Sequence, residues 1–270
     1  MSRILPESAD GSNWMPRGLR KRQPPLRRLP PCQSRGLFLN DEFDTTEEHP
    51  PDLVFLWACG FSLAVGLVGL VLGWLTGIDA RAYLLRVQQV TAGAVLRDLG
   101  LGVAAAVPMT IAVWLLMKVP HEAIDAIKRL GDQPMMHALL SLRRPELLTI
   151  SLCAGVGEEL AFRGWMLPML ASLGETATGV VNTYSVGDPF TQAPPVVLAA
   201  AVFISSVAFG ALHPITKLYV VVASLMGVYF AVLLITTNSL LVPIIAHASY
   251  DAAQFLIASA EERRQSESGA

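Results

Sequence analysis

Six apolar segments, each close to the length that crosses a bilayer, constrain the fold of this chain more than any other feature. They lie at about 53–77, 98–117, 147–170, 196–213, 217–237 and 240–260. A helix needs about 20 apolar residues to cross the hydrocarbon core. The whole chain, with 53% hydrophobic residues and a mean hydropathy of +0.48, has the composition of a membrane protein. We therefore predict an all-α fold, a polytopic transmembrane helical bundle of about six spanning helices.

Polar stretches before, between and after these segments divide the chain into regions. Residues 1–52 are Pro-rich and basic, which predicts a disordered basic cytoplasmic tail that lies on anionic lipid. Residues 53–144 would hold two transmembrane helices and an interfacial amphipathic connector at 120–145. Residues 145–260 would form a core of four transmembrane helices, followed by a short cytoplasmic tail at 261–270.

The positions of Lys and Arg predict which side of the membrane each loop faces. Of the 20 Lys and Arg residues, 16 fall in segments on the same side of the membrane as the N-terminus. The exceptions are Arg81, Arg86, Arg97 and the intramembrane Arg163. Because cytoplasmic loops are enriched in Lys and Arg, both termini should be cytoplasmic. We expect an integral, multi-pass protein of the bacterial plasma membrane. An organelle membrane is the alternative, because residues 1–40 are rich in Arg and poor in acids.

The third apolar segment contains three ionisable residues, Glu158, Glu159 and Arg163. A charge at mid-helix costs about 2.5 to 3.5 kcal/mol on insertion scales, against a gain of about 0.3 to 0.6 kcal/mol for a Leu. Glu159 and Arg163 are four residues apart, acid first, so they share a helix face and neutralise each other. Glu158 lies about 100° round the helix, and we interpret it as the reactive group. The alternative is a buried ion network that only holds helices together.

Three more polar residues fall in later apolar segments. His213 ends the fourth segment before Pro214, and His247 and Asp251 share a face of the sixth. We count from the segment ends at a helical rise of about 1.5 Å per residue. By this count Glu158 and His247 lie at the same depth in the hydrocarbon core, and His213 lies nearer the inner membrane surface. A shielded carboxylate acts as a general base, and an imidazole positions water, binds metal or polarises a carbonyl. Carboxylates and imidazoles that converge from three helices are therefore typical of a water-activating site.

The chain resembles the CPBP (Abi) family, which comprises the type II CAAX prenyl endopeptidases and bacterial relatives linked to bacteriocin processing and self-immunity. The resemblance covers residues 145–258 and implies a glutamate-dependent intramembrane endopeptidase with a cavity open to the cytoplasm. By this resemblance, Glu158 activates the hydrolytic water with His213, and Glu159 with Arg163 organises the site. The resemblance rests on three motifs, which occur in this order on hydrophobic helices: Glu158-Glu159-x-x-x-Arg163, Phe209-x-x-x-His213 and His247-x-x-x-Asp251.

The resemblance also implies that His247 and residue 251 stabilise the oxyanion or bind a metal. Many relatives carry Asn where this chain has Asp251. An amide donates a hydrogen bond to an oxyanion, whereas an ionised carboxylate only accepts, so Asp251 is expected to orient His247 or to bind a metal. The metal would be zinc or another divalent ion held by some of His213, His247, Glu158 and Asp251. Water activation by Glu158 needs no metal, and the sequence has no HExxH helix.

Two further functions are compatible with the sequence. A non-catalytic membrane scaffold or bacteriocin self-immunity protein would bind a peptide in the same cavity. A proton-coupled carrier would use the Glu and His residues as a relay, although no inverted repeat favours it.

The expected partners are membrane lipids and a peptide or prenylated-protein substrate, and not nucleic acid. Gly69, Gly73 and Gly77 predict a close helix contact, within the chain rather than in a dimer, and leave the oligomeric state open.

Overall fold

The fold is described by a computed structural model for residues 50–84, 91–129, 133–177 and 189–268. Most of the predicted basic tail at 1–52 lies outside the described residues. Within them every regular element is helical, and there is no strand. The helices are α1 (Pro51–Thr76), α2 (Ala92–Leu116), α3 (Glu122–Lys128), α4 (Pro134–Leu140), α5 (Arg144–Glu159), a π-helix (Leu160–Met166), α6 (Leu167–Ala177), α7 (Pro189–Gln192), α8 (Pro195–Ala211), α9 (Lys217–Thr237) and α10 (Leu241–Ser268).

Four of the described helices are long and apolar enough to cross a bilayer by themselves. These are α1, α2, α9 and α10, with mean hydropathies of 2.3, 2.1, 2.5 and 1.3 over an 18-residue window. The other two predicted spans differ: α8 has only 17 residues, and the third span is the charged run from α5 through the π-helix to α6. The prediction of an all-helical, multi-pass membrane bundle is confirmed.

The charged run is one continuous helix in which a π-helical turn separates two α-helical parts. Its parts have 16, 7 and 11 residues. At 1.5 Å per residue this helix is about 50 Å long, well beyond a hydrocarbon core of about 30 Å. The ends of the apolar run are therefore not the edges of the membrane, and the depth of Glu158 does not follow from counting residues from Glu146.

Helix α1 packs against α5 and the π-helix with its backbone in direct contact. A Cβ added to Gly157 would lie 1.9 Å from the carbonyl oxygen of Ser62, and one added to Gly69 would lie 2.5 Å from Cα of Ala161. The predicted internal contact of the first segment is thus confirmed at Gly69. The prediction was wrong for Gly77, which caps the C-terminus of α1 with φ 74°, a left-handed conformation that favours glycine.

The remaining long helices enclose the other sides of α5. Helix α10 packs against both α2 and α5, while α8 pairs with α9 and also contacts α6. Helix α10 continues to Ser268, so the region predicted as a tail from residue 261 begins as the last turns of this helix. This arrangement brings the end of α5, the end of α8 and the middle of α10 to one interior point.

The connector predicted at 120–145 consists of two short helices, α3 and α4. Each buries one apolar side chain, Ile124 in α3 and Leu140 in α4. His137 of α4 forms an ion-pair contact with Glu262 of α10, which ties the connector to the last helix. The alternation of buried apolar and exposed polar residues agrees with the amphipathic character expected from the sequence.

Gly157→Ala is expected to destabilise the protein by about 3 kcal/mol, because the new methyl group meets the backbone of α1. The matched control is Gly60→Ala on α1, where a Cβ meets nothing within 4 Å and Ala has the higher helix propensity. Reversible unfolding in mixed detergent micelles, followed by circular dichroism, measures both variants. Equal unfolding free energies for the two would contradict the close contact of α1 with α5.

Candidate active site

Glu158 and Glu159 are the last residues of α5, and Arg163 lies in the π-helix that follows. A regular α-helix was expected here, and the wider turn changes the direction of the side chains after Glu159. The predicted pair is nevertheless formed, because Arg163 Nη1 donates a hydrogen bond to Glu159 Oε1 at 3.0 Å. Helical turns of the π type are rare and occur mostly at functional sites. The π-helix therefore marks this stretch independently of its charges.

The guanidinium of Arg163 is fully buried, and several partners compensate its charge. Besides Glu159, it donates through Nη2 to the carbonyl oxygen of Gly227 in α9 at 2.9 Å. Its central carbon lies 4.3 Å from the ring centroid of Phe209 and 5.3 Å from that of Phe230. Ring faces attract cations, most strongly where water is excluded. Arg163 thus joins the π-helix to α8 and α9.

His247 of α10 lies between two carboxylates. Its Nδ1 is 3.0 Å from Glu159 Oε1, and its Nε2 is 3.4 Å from Asp251 Oδ2. Because an ionised carboxylate only accepts, Nδ1–H is the donor to Glu159. The imidazole stacks on Phe230 with centroids 5.0 Å apart and planes 16° apart. Glu159 therefore contacts both Arg163 and His247 through the same oxygen and fixes their relative positions.

His213, just after the end of α8, faces Glu158. Its Nδ1–H donates to the carbonyl oxygen of Phe209 at 3.0 Å, since that oxygen only accepts. The second ring nitrogen, Nε2, then lies 3.7 Å from Glu158 Oε2, too far for a direct hydrogen bond. Glu158 Oε2 is buried and has no hydrogen-bond partner among the described residues. Glu158 Oε2 and His213 Nε2 therefore face each other without a direct hydrogen bond.

The structure brings all six predicted residues together, and their exposure shows where the site opens. The side chains of Glu159, Arg163 and His247 are almost fully buried. His213 is 25% exposed and Asp251 23%, whereas Glu158 between them is 9% exposed. The opening therefore lies beside His213 and Asp251, with Glu158 at its base.

The donor geometry gives the predicted metal no support. In the described part of the chain, no group of three or more His, Cys, Asp and Glu side chains is arranged to hold a metal ion. Both ring nitrogens of His247 face carboxylates instead of a point shared with His213. Binding of zinc or another divalent ion stays a prediction.

Sequence reasoning did not identify two residues that hold the cluster together, Gly227 and Phe230. A signal for Gly227 was present, because Ala223, Gly227 and Ala231 recur every four residues on α9 and all three are buried. A Cβ at Gly227 would lie 3.0 Å from Ser206 and 3.2 Å from Arg163 Nη2. Nothing in the sequence distinguished Phe230 from an ordinary core residue.

An apolar groove of about 360 Å³ lies beside the polar site, between α1 and the π-helix. None of the six polar residues lines it. Phe61 of α1, Phe162 and Trp165 of the π-helix, and Leu212 are among its lining residues. Leu212 directly precedes His213, so one end of the groove is adjacent to the opening of the site. The lining suits a hydrocarbon chain.

Comparison with known proteins gives one match. Residues 140–253 match the family described as type II CAAX prenyl endopeptidase Rce1-like. This range runs from the end of α4 into α10 and contains the six clustered residues. No curated protein and no solved structure matches the chain.

Proposed function

We propose that this chain, whose residues 140–253 match the type II CAAX prenyl endopeptidase Rce1-like family, is a glutamate-dependent intramembrane endopeptidase. The family itself corresponds to CAAX-type intramembrane proteases. The observation that supports dependence on the glutamate is the buried Oε2 of Glu158, which faces His213 Nε2 across 3.7 Å.

In the proposed reaction, a water molecule between Glu158 and His213 donates its two hydrogens to Oε2 and Nε2. Glu158 takes one proton as the water oxygen bonds to the carbonyl carbon of the scissile peptide, and the C=O electron pair moves onto the carbonyl oxygen. The tetrahedral intermediate collapses when C=O forms again and the C–N bond breaks. The proton held by Glu158 passes to the leaving nitrogen, so one water is consumed and no redox step occurs.

The other clustered residues are proposed to hold this geometry. Arg163 balances the charge of Glu159, and Glu159 fixes the ring of His247 through the 3.0 Å hydrogen bond. Asp251 contacts the other nitrogen of that ring at 3.4 Å. Donors and charges that are already in position need no reorganisation during the reaction, which is how buried polar sites stabilise developing charge. None of these steps uses a metal ion.

The proposed substrate is a membrane-associated protein or peptide, either prenylated or unmodified. The apolar groove next to Leu212 supports a lipid chain beside the cleaved bond. The opening beside His213 and Asp251 lies on the side that the distribution of Lys and Arg assigns to the cytoplasm. We therefore place cleavage near the cytoplasmic surface of a bacterial plasma membrane, with both termini of the chain on that side.

The test is cleavage of a fluorogenic peptide library by the purified protein in detergent, with each peptide made with and without a C-terminal prenyl cysteine. We expect the wild type to cleave members of the library and Glu158→Gln to cleave none. The lipid dependence identifies the substrate class. Activity that a chelator abolishes and a divalent metal restores would contradict a metal-free reaction. Peptides that bind equally to the wild type and to Glu158→Gln without cleavage would favour the scaffold or self-immunity function.

A further inference from the structure

Peptide hydrolysis at this site needs hydrogen-bond donors for the oxyanion, and the six clustered residues supply few. His247 Nδ1 is committed to Glu159 at 3.0 Å, and His247 Nε2 lies 3.4 Å from Asp251. An oxyanion would therefore compete with Asp251 for any proton on Nε2. The carboxylate of Asp251 only accepts hydrogen bonds when ionised, and it repels a negative oxygen. Glu158 holds a proton at this stage, but that proton is needed by the leaving nitrogen.

Tyr219 lies at the edge of the same site, in the first turn of α9. Its backbone N–H donates to Thr216 Oγ1 at 3.1 Å, which fixes the start of the helix. Its ring centroid is 6.1 Å from that of His213. His213 Nε2 in turn lies 3.7 Å from Glu158 Oε2, so the ring of Tyr219 lies beside the residue that faces Glu158.

The hydroxyl of Tyr219 is available for a ligand. Among the described residues it makes no hydrogen bond, although the ring packs against the aromatic cluster around Phe209. A phenol is a neutral donor, so it would stabilise an oxyanion without adding a formal charge to the site. The phenol thus has the donor capacity that the carboxylate of Asp251 lacks.

We propose that Tyr219 is a further catalytic residue, whose hydroxyl donates a hydrogen bond to the oxyanion that forms on the scissile carbonyl. This inference rests on the proposed function. The proton stays on the phenol throughout, and the hydrogen bond strengthens as negative charge develops on the carbonyl oxygen. The ground-state carbonyl oxygen carries less charge, so the contact contributes more to the transition state than to substrate binding.

Tyr219→Phe tests this role, and Tyr229→Phe is the matched control. Both residues lie on α9, but the hydroxyl of Tyr229 donates to the carbonyl oxygen of Ala105 in α2 at 3.0 Å. With a peptide that the wild type cleaves, Tyr219→Phe is expected to lower kcat by about 10²-fold with an unchanged KM. Tyr229→Phe should keep the wild-type kcat.

A second substitution distinguishes an oxyanion donor from a residue that only positions Asp251. In the Tyr219→Phe protein, Asp251→Asn supplies an amide N–H at the neighbouring position, and we expect it to recover kcat by about tenfold. If Tyr219 acted only through the carboxylate of Asp251, removing that carboxylate would give no recovery, and the proposed role would be wrong.

The remaining outcomes separate this role from the proposed function. Loss of activity in Glu158→Gln together with an unchanged kcat in Tyr219→Phe would overturn the role of Tyr219 alone. A raised KM with an unchanged kcat would assign Tyr219 to substrate binding and would also overturn it. Wild-type activity in Glu158→Gln, or a folded wild type that cleaves no peptide, would contradict the proposed function and the role of Tyr219 with it.

Discussion

Glu158→Gln is expected to lower kcat by about 10³-fold while the protein keeps its fold and its affinity for peptide. Gln has the size of Glu, but its side chain does not accept a proton from water near neutral pH. Oε2 of Glu158 has no hydrogen-bond partner among the described residues, so the substitution breaks no bond at that atom. Initial rates and peptide binding, both measured in detergent, separate the loss of chemistry from the loss of binding.

The matched control for this variant is Glu122→Gln. Glu122 is exposed at the start of α3 and is not one of the six clustered residues, and its substitution removes the same charge. Its kcat should equal that of the wild type. A Glu158→Gln protein that keeps its rate within about tenfold of the wild type would mean that another group activates the water, since general bases contribute at least 10².

Arg163→Met is expected to destabilise the protein by about 3 to 5 kcal/mol, the range for removing one partner of a buried ion pair. Both side chains of the pair are almost fully buried, and Nη1 lies 3.0 Å from Glu159 Oε1. Without the guanidinium, Glu159 would keep the hydrogen bond from His247 but lose its cationic partner, and the carbonyl oxygen of Gly227 would lose the hydrogen bond from Nη2. The unfolding free energy in mixed micelles measures the effect.

Glu159→Gln in the Arg163→Met protein is expected to recover at least half of this loss. The amide removes the uncompensated charge, and its oxygen still accepts the hydrogen bond from His247 Nδ1. Two substitutions in contact should therefore be strongly non-additive. If the double variant showed the sum of the two single losses, the energetic coupling of Glu159 to Arg163 would be disproved, even though the two groups lie 3.0 Å apart.

The sequence predicts the helical bundle well because few backbone conformations are stable inside a bilayer. Backbone groups in hydrocarbon must bond internally, so an apolar run of about 20 residues indicates a helix wherever it occurs. The Glu159–Arg163 and His247–Asp251 contacts were equally readable, since residues four apart share a helix face. In both cases the deciding interactions are local in sequence.

Other features depend on contacts between distant parts of the chain, which no local pattern encodes. Counting along each segment separates His213 from Glu158 in depth, whereas packing brings His213 Nε2 to 3.7 Å from Glu158 Oε2. The π-helix and the contact of Arg163 with Gly227 arise from packing of the π-helix against α8 and α9. Tyr219 follows His213 by six residues, but the approach of its ring to that of His213 depends on the turn between α8 and α9, which no local pattern encodes.

The contact of Gly157 with the backbone of Ser62 also limits how a substrate reaches Glu158. Two helices whose backbones touch leave no passage between them, so a peptide cannot enter from the lipid between α1 and α5. We expect it to approach past His213 and Asp251, where the side chains are partly exposed. An extended, flexible end of a protein needs less room on this route than an intact transmembrane helix about 10 Å wide. We therefore expect the protein to cleave mobile tails of its substrates in preference to the interior of membrane-spanning helices.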